Sequence, residues 1–379
     1  MKKLRNIAAV IMAAALVLSL AACHPKDEVA VTVTDKSTKL SVDVTTAQYL
    51  YAMTQATLEA QNNIKNNNSD KTITDYTKYK VEEQDDNGKT TKTEYYKWIN
   101  NRAEEVVRDY AASELKRKAL KLKLDDSTKS NVDSYAGMYW SNYYQPIYEQ
   151  NGVGEETFKK MFLSSYYKNQ YFLSIYDTKG TEEIPEKDVK DAFSKNYCLA
   201  NAITITVSSD SDSTGTTATD SSENKMTMAE AEAKLKKYKD RISKGEKFDT
   251  IYSEYQKETS TDSSSTSTGS AATVFGSSDT SYSSDYFDDA FKMKTGAVKI
   301  LKNSDNTEIA LVEKQDISKD EDTYYKNYRT DVLQLLKGDE FEDNYKKYYD
   351  GLSLEFHKYA SGRVKAKKIK ATASTSSAS

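Results

Sequence analysis

Histidine and cysteine are nearly absent from this chain of 379 residues: His24 and His357 are its two imidazoles, Cys23 and Cys198 its two thiols. A structural or catalytic transition-metal centre needs three or four such ligands gathered together. So few residues exclude a His/Cys metal site. No glycine-rich phosphate loop and no GxSxG elbow occurs, which removes the common nucleotide-binding and serine-hydrolase signatures. His24 and His357 have no evident acid or nucleophile beside them and read as surface residues. The acidic pairs Asp125/Asp126 and Asp288/Asp289 read as helix caps or solvated charge. Nothing in the sequence calls for a cofactor.

Long apolar runs are missing too, with one exception. Ile7 to Leu20 is continuously apolar or small, but it falls short of the ~20 residues that span a bilayer. Lys2, Lys3 and Arg5 precede it, the layout of an export signal over residues 1–22. Leu20, Ala21, Ala22 and Cys23 then resemble a bacterial lipobox, in which the cysteine is acylated and becomes the mature N-terminus. Two or three acyl chains at about 0.8 kcal/mol per buried CH2 hold a protein to a membrane stably. The expected address is therefore the extracytoplasmic face of the cell membrane, with Cys23 lipidated. Cys198 is then the sole remaining thiol, so no intramolecular disulfide forms.

Excess positive charge is also lacking. The formal charge is −4, and removal of residues 1–22 takes it to −7. An acidic balance argues against nucleic acid as a partner. The one basic cluster, Arg363 to Lys370, reads as a solvated or membrane-proximal tail.

What is present is helical periodicity, charge and tyrosine. Charged residues make up 30% of the chain and there are 29 tyrosines. Val29, Val31 and Val33 alternate with polar residues, and Leu40 to Val44 can answer them as a hairpin. Thr45 and Gln48 stand at capping-box spacing ahead of a helix. Asn66 to Thr93 is polar and aperiodic and reads as a loop. A strong helix follows from Tyr95 to Leu124, its stripes formed by Ile99, Ala103, Val106, Tyr110 and by Val107, Ala111, Leu115, Ala119. The next helix covers Ser130 to Gln150 with Tyr135, Met138, Tyr139, Tyr143 and Ile147 as its apolar positions. Others cover Glu155 to Asp177 and Pro185 to Tyr197.

Further on come a strand at Ala200 to Val207 and an amphipathic helix from Ala229 to Glu258. VFG at Val274 to Gly276, FDDAFKMKTGAV at Phe287 to Val298 and a closing strand from Thr307 to Ile317 complete the series. This order resembles a parvulin-type peptidyl-prolyl isomerase domain. Preceded by the helical series and followed by a long helix, Asp322 to Gly351, and a short strand, Leu352 to Tyr359, it is similar to the PrsA-type and SurA-type extracytoplasmic foldases.

The resemblance implies an α+β fold: a discontinuous, mostly helical chaperone domain with an inserted parvulin-like α/β domain. The expected boundaries are 23–196 for the helical domain, 197–317 for the insert and 318–370 for the returning helix and strand. Two Ser/Thr-rich tracts, 208–224 and 259–273, and the tail 371–379 are expected to be disordered, because such segments bury too little apolar surface to offset chain ordering.

Parvulins carry a histidine in the first strand and another in the last, and those positions fall here on Ala202 and Glu308. The usual Cys or Asp after the long helix is replaced by Glu258, a weak catalytic candidate. By the same resemblance Phe275, Phe287 and Phe291 would line a proline pocket; the plainer alternative is that they form the core of a small domain. Tyr139, Trp140, Tyr143 and Tyr144 are too closely spaced for all to face one core. They line a peptide-binding crevice or serve helix packing. The function implied is an anchored chaperone for newly exported, unfolded polypeptides with weak or no isomerase activity. The alternatives are an active parvulin-type isomerase and a non-catalytic lipoprotein with one dedicated surface partner. Oligomeric state is not legible.

Overall fold

Val31 and Val33 turn inward from the first strand, β1 (Val29–Asp35), of the computed structural model. The structure describes residues 27–85, 87–207, 226–259, 272–276 and 284–371; the side chains of residues 275, 284–287 and 320–323 are outside that description. The export signal, Cys23, His24, most of both Ser/Thr tracts and residues 372–379 therefore lie outside the described residues. The chain is α+β and divides into two compact units, one formed by residues up to Glu183 together with those from Lys337 onward, the other by Ile184–Leu336.

In the first unit, β1 pairs antiparallel with β2 (Leu40–Thr45) on one side and β9 (Ser353–Phe356) on the other, so an early and a late segment of the chain share one sheet. Thr45 and Gln48 close a capping box at the start of α1 (Thr46–Asn66), satisfying backbone donors that the first helical turn leaves open. α2 (Tyr95–Leu120) buries Ile99, Ala103, Val107, Tyr110, Ala111 and Leu115. It ends at Lys121, whose φ of +53° is the left-handed C-cap conformation. Asp125 caps α3 (Asp126–Tyr139) by accepting from the Thr128 amide at 2.8 Å. A π-helical turn (Trp140–Tyr144), α4 (Gln145–Glu149) and α5 (Glu155–Tyr176) follow.

The returning helix completes this core. α10 (Glu321–Asp350) crosses from the second unit into the first, and its C-terminal half buries Phe341 and Tyr345. Phe341 packs edge-on to Phe172 at 5.2 Å and Tyr345 lies 6.3 Å from Tyr171. Arg108 of α2 donates to the carbonyl of Leu352 at 2.5 Å, fixing the turn into β9.

Two local expectations are corrected in this unit. Asn66–Thr93 is no simple loop: it contains a hairpin, β3 (Lys80–Gln84) with β4 (Thr90–Glu94). Its strands expose both faces apart from Val81, so no alternation marked them. The basic segment from Arg363 is no free tail. Val364 and Ala366 are buried, and Arg363 pairs with Glu28 at 3.1 Å. His357 is exposed, with Nε2 3.0 Å from Thr32 Oγ1.

The second unit is a four-stranded antiparallel sheet of order β6-β5-β8-β7, formed by β5 (Tyr197–Thr206), β6 (Ala272–Gly276), β7 (Val298–Lys302) and β8 (Glu308–Lys314). Its helices are α6 (Glu186–Asn196), α7 (Met228–Ser243), α8 (Phe248–Thr259), α9 (Ser284–Lys292) and the first half of α10. The single helix expected from Ala229 to Glu258 is two, broken at Gly245 with φ +95°, a conformation open to glycine at little cost.

Period-2 alternation sends successive residues to opposite sheet faces. Ile203, Ile205, Val207, Ile309 and Leu311 pack on α7 and α8. Cys198, Ala200, Ala310 and Val312 pack on α9. The units divide at Glu183/Ile184 and Leu336/Lys337 rather than at 196/197 and 317/318. The reason is aromatic packing: Phe193 of α6 stacks on Tyr197 at 5.1 Å and meets Tyr325 of α10 at 6.0 Å. Tyr328 also donates to the Val274 carbonyl at 3.1 Å.

Candidate functional site

Tyr135, Tyr139 and Tyr143, read from the sequence as apolar positions of one helix, point out of the first unit; Tyr143 is 63% exposed and Tyr135 53%. The buried positions of this stretch are Val132, Ala136, Trp140 and Tyr148. Pro146 gives the local cause of the last of these, Tyr148. A proline inside a helix lacks the N–H for the i→i−4 bond and its ring crowds the carbonyl four residues back. The chain responds with one wider turn, in which the Gln145 amide reaches the Trp140 carbonyl five residues earlier. The extra residue shifts the register, so Tyr148 joins Trp140 on the inner side, 6.5 Å between ring centroids.

The shift opens a groove of about 850 Å³ between α1, the α3–α4 segment and α5, walled by Tyr51, Tyr139, Tyr144, Tyr148, Phe158 and Phe162. Tyr51 stacks on Tyr148 at 4.9 Å, Tyr144 lies 5.4 Å from Phe158, and Tyr139 lies 5.9 Å from Phe162. Phe158 stands on Trp140 at 5.5 Å. Burial pushes the Tyr51 phenol up to about 12 and the Tyr148 phenol higher still. Both therefore remain neutral donors at ordinary pH. Such a surface offers large, rigid contact area with polar edges, suited to apolar side chains on an extended chain.

Of the four aromatic residues singled out in the sequence, Tyr139 and Tyr144 line this groove. Tyr143 lies at its rim, 6.5 Å from Tyr144. Trp140 is 3% exposed and lies beneath the lining, against Tyr148 and Phe158. Tyr51, Phe158, Phe162 and Tyr166 were not singled out. The last three recur every fourth residue on α5, a spacing legible in the sequence.

Beyond Tyr51, Gln55 and Phe162, which line both, the groove continues into a polar trough. There Arg102 contacts Glu59 at 2.6 Å and Glu105 at 3.0 Å, while Lys168 contacts Glu342 at 2.7 Å and Asp109 at 3.6 Å. Loss of solvent raises the Asp109 carboxyl above its ordinary value, opposed by Lys168 and reinforced by Glu342.

In the second unit Glu258 and Phe291 lie apart. Glu258 lies on α8, against Lys234 at 2.7 Å and the Tyr238 phenol at 3.3 Å, while Phe291 of α9 packs on the other face of the sheet. The two do not share a site. Phe291 stands with Cys198, Ala200, Ala290, Met293, Ala310 and Val312 as part of a small core. Phe275 is on β6 and Phe287 on α9, their side chains outside the described residues. Ala202 faces Val312 across the ladder and Glu308 faces Thr206, so the two positions aligned with the parvulin histidines are four residues apart along the ladder, roughly 13 Å at ~3.3 Å per residue. Burial raises the Cys198 thiol, with Lys314 acting in the opposite direction. Among the described residues no group of three or more His, Cys, Asp or Glu is placed to hold a metal ion. No helix among them is long and apolar enough to cross a membrane.

Together these features define an α+β protein with an open aromatic groove in a discontinuous helical unit and a small antiparallel sheet domain inserted into it. The chain is similar to the foldase protein PrsA from Streptococcus pneumoniae, at 18% identity and TM-score 0.40 over 71% of this chain and 92% of that one. It is also similar to PrsA from Bacillus subtilis, at 17% identity and TM-score 0.32 over 71% and 91%. For the foldase protein PrsA from Lactococcus lactis the values are 16% and 0.36 over 68% and 86%. No family model and no curated protein matches the chain.

Proposed function

We propose that this protein is an extracytoplasmic folding factor that holds unfolded segments of exported polypeptides in the aromatic groove of its helical unit, tethered to the membrane by lipid on Cys23. The observation that carries the reading is the groove itself. Monomeric proteins rarely leave large aromatic side chains unpartnered in one place without a ligand for them, and here Tyr135, Tyr139, Tyr143 and Tyr144 are all exposed. The inserted sheet domain contributes little or no prolyl isomerisation. Rotation about an X-Pro bond faces a barrier of roughly 18–20 kcal/mol, and lowering it calls for polar groups aimed at the twisted amide. The described cluster packed against α9 is largely apolar, and Lys314, which reaches it, donates to the Phe291 carbonyl at 2.6 Å, while Glu258 stands on the opposite face.

An aggregation-suppression assay on a denatured client, beside a prolyl-isomerisation assay on a short Pro peptide, separates the possibilities. Suppression without appreciable isomerisation is expected. Robust turnover that disappears on Phe291→Ala, with no suppression, would overturn the proposal in favour of an isomerase. For the anchor, Cys23→Ala is expected to release the protein from the membrane fraction into the medium.

A further inference from the structure

The polar trough that prolongs the aromatic groove is unbalanced in charge. Its two cations are each shared between two carboxylates: Arg102 between Glu59 and Glu105, Lys168 between Asp109 and Glu342. Four carboxylates thus surround two cations, and the trough carries a surplus of two negative charges next to apolar walls. Glu59 also lines the aromatic groove, so the surplus reaches the place where an apolar side chain would sit. All these residues belong to the first unit.

Resting on the reading of the groove as a polypeptide site, we infer that it selects extended segments in which an aromatic or large aliphatic residue has lysine or arginine within a few positions of it. The apolar side chain sits against Tyr139, Tyr144 and Phe162, which line the groove. The neighbouring basic side chain enters the trough and takes up the carboxylate valence that Arg102 and Lys168 leave unmatched. An acidic neighbour meets the same surplus as repulsion. The complement is electrostatic, so it sets selectivity and association rate more than total affinity.

The test measures fluorescence anisotropy of three labelled, unstructured peptides with the full chain. Each carries two phenylalanines, flanked by lysines, by glutamines or by glutamates. The lysine peptide is expected to bind about tenfold more tightly than the glutamate peptide at low salt, with the glutamine peptide between them. The ratio should collapse near 1 M salt, where the screening length is about 3 Å. Glu105→Gln, which leaves Arg102 paired with Glu59, should narrow the ratio. The double substitution Glu105→Lys with Glu342→Lys should invert it. Equal affinity for the three peptides, or a preference unmoved by either variant, overturns the inference and leaves the groove reading standing. Binding of none of the three, the glutamine peptide included, overturns both. Self-association that is abolished by the same variants, with no charge preference, would assign the face to a second copy of the chain and overturn the inference as well.

Discussion

The Tyr345 phenol donates a 2.9 Å hydrogen bond to the backbone carbonyl of Asp109, 236 positions earlier in the chain. This bond joins the returning helix to the longest helix of the N-terminal segment, and the ring around it is almost wholly buried against Phe341 and Tyr171. Burial, with Asp109 and Glu342 nearby, holds the phenol well above its usual range. Tyr345→Phe keeps the packing and loses one neutral hydrogen bond, so it should cost about 1 kcal/mol. Tyr345→Ala leaves an aromatic-sized cavity and should cost roughly 3–5 kcal/mol. Denaturant unfolding of the two variants checks the order; equal costs would mean that the ring does not join the two segments.

Asp35 ties the opening hairpin to the same helix. Burial pushes its carboxyl up, but hydrogen bonds from the side chains and amides of Ser37 and Thr38 outweigh that and hold it at about 2, below the ordinary 3.8. Its other oxygen accepts from Tyr348 at 3.2 Å. Because the folded value is depressed, the stabilisation is fully present above about pH 4. It fades as pH falls through the interval from 3.8 to about 2. Asp35→Asn should therefore cost about 1–2 kcal/mol at pH 6 and progressively less toward pH 2. Unfolding curves at the two pH values measure the difference, and a penalty that does not change with pH would contradict the assignment.

Much of the frame was legible because local chemistry and tertiary packing agree. Thr45 and Gln48 announce a capping box and form one, and Asp125 caps the helix it precedes. Val31 and Val33 alternate and are buried. Where reading failed, a local signal was missing or was overridden. The β3–β4 hairpin buries one apolar side chain, Val81, and so has no period to detect. Pro146 was visible, but the wider turn that absorbs it shifts the register of the residues after it, so Tyr148 rather than Ile147 follows Trp140 on the inner side. In the second unit, Ala202 and Glu308 stand four residues apart along the ladder. Glu258 was nominated by its place after a helix, a property that carries no information about sheet face.

The basic C-terminal segment looked solvated because five of the eight residues from Arg363 to Lys370 are charged. Its attachment depends on Asn151, whose side-chain amide donates to the Lys370 carbonyl at 2.7 Å and to the Ile147 carbonyl at 2.9 Å. The Asn151 carbonyl oxygen accepts from the Lys370 amide, also at 2.9 Å. One buried side chain thus pairs with a strand-like backbone from both sides. Asn151→Ala should release this segment and cost about 1–3 kcal/mol. Hydrogen exchange at the Lys370 amide reads the release directly. Unchanged protection there would show that Val364 and Ala366 suffice to hold it.

Groove and core predict opposite phenotypes for tyrosines only a few residues apart. Tyr139 and Tyr144 have free faces, and neither supports the interior by burial. Tyr139→Ser with Tyr144→Ser should leave the unfolding midpoint within about 0.5 kcal/mol of the parent. The same pair should weaken client binding severalfold, since aromatic anchors dominate contact energy at such sites. Tyr148 is 3% exposed and touches Tyr51, Tyr144, Trp140 and Phe158. Tyr148→Ala should destabilise the helical unit by roughly 3–5 kcal/mol. Peptide binding measured beside thermal unfolding separates the two classes. A double serine variant that unfolds early would mean that these exposed rings support the fold. A stable one that still captures clients at full strength would remove the groove as their binding site.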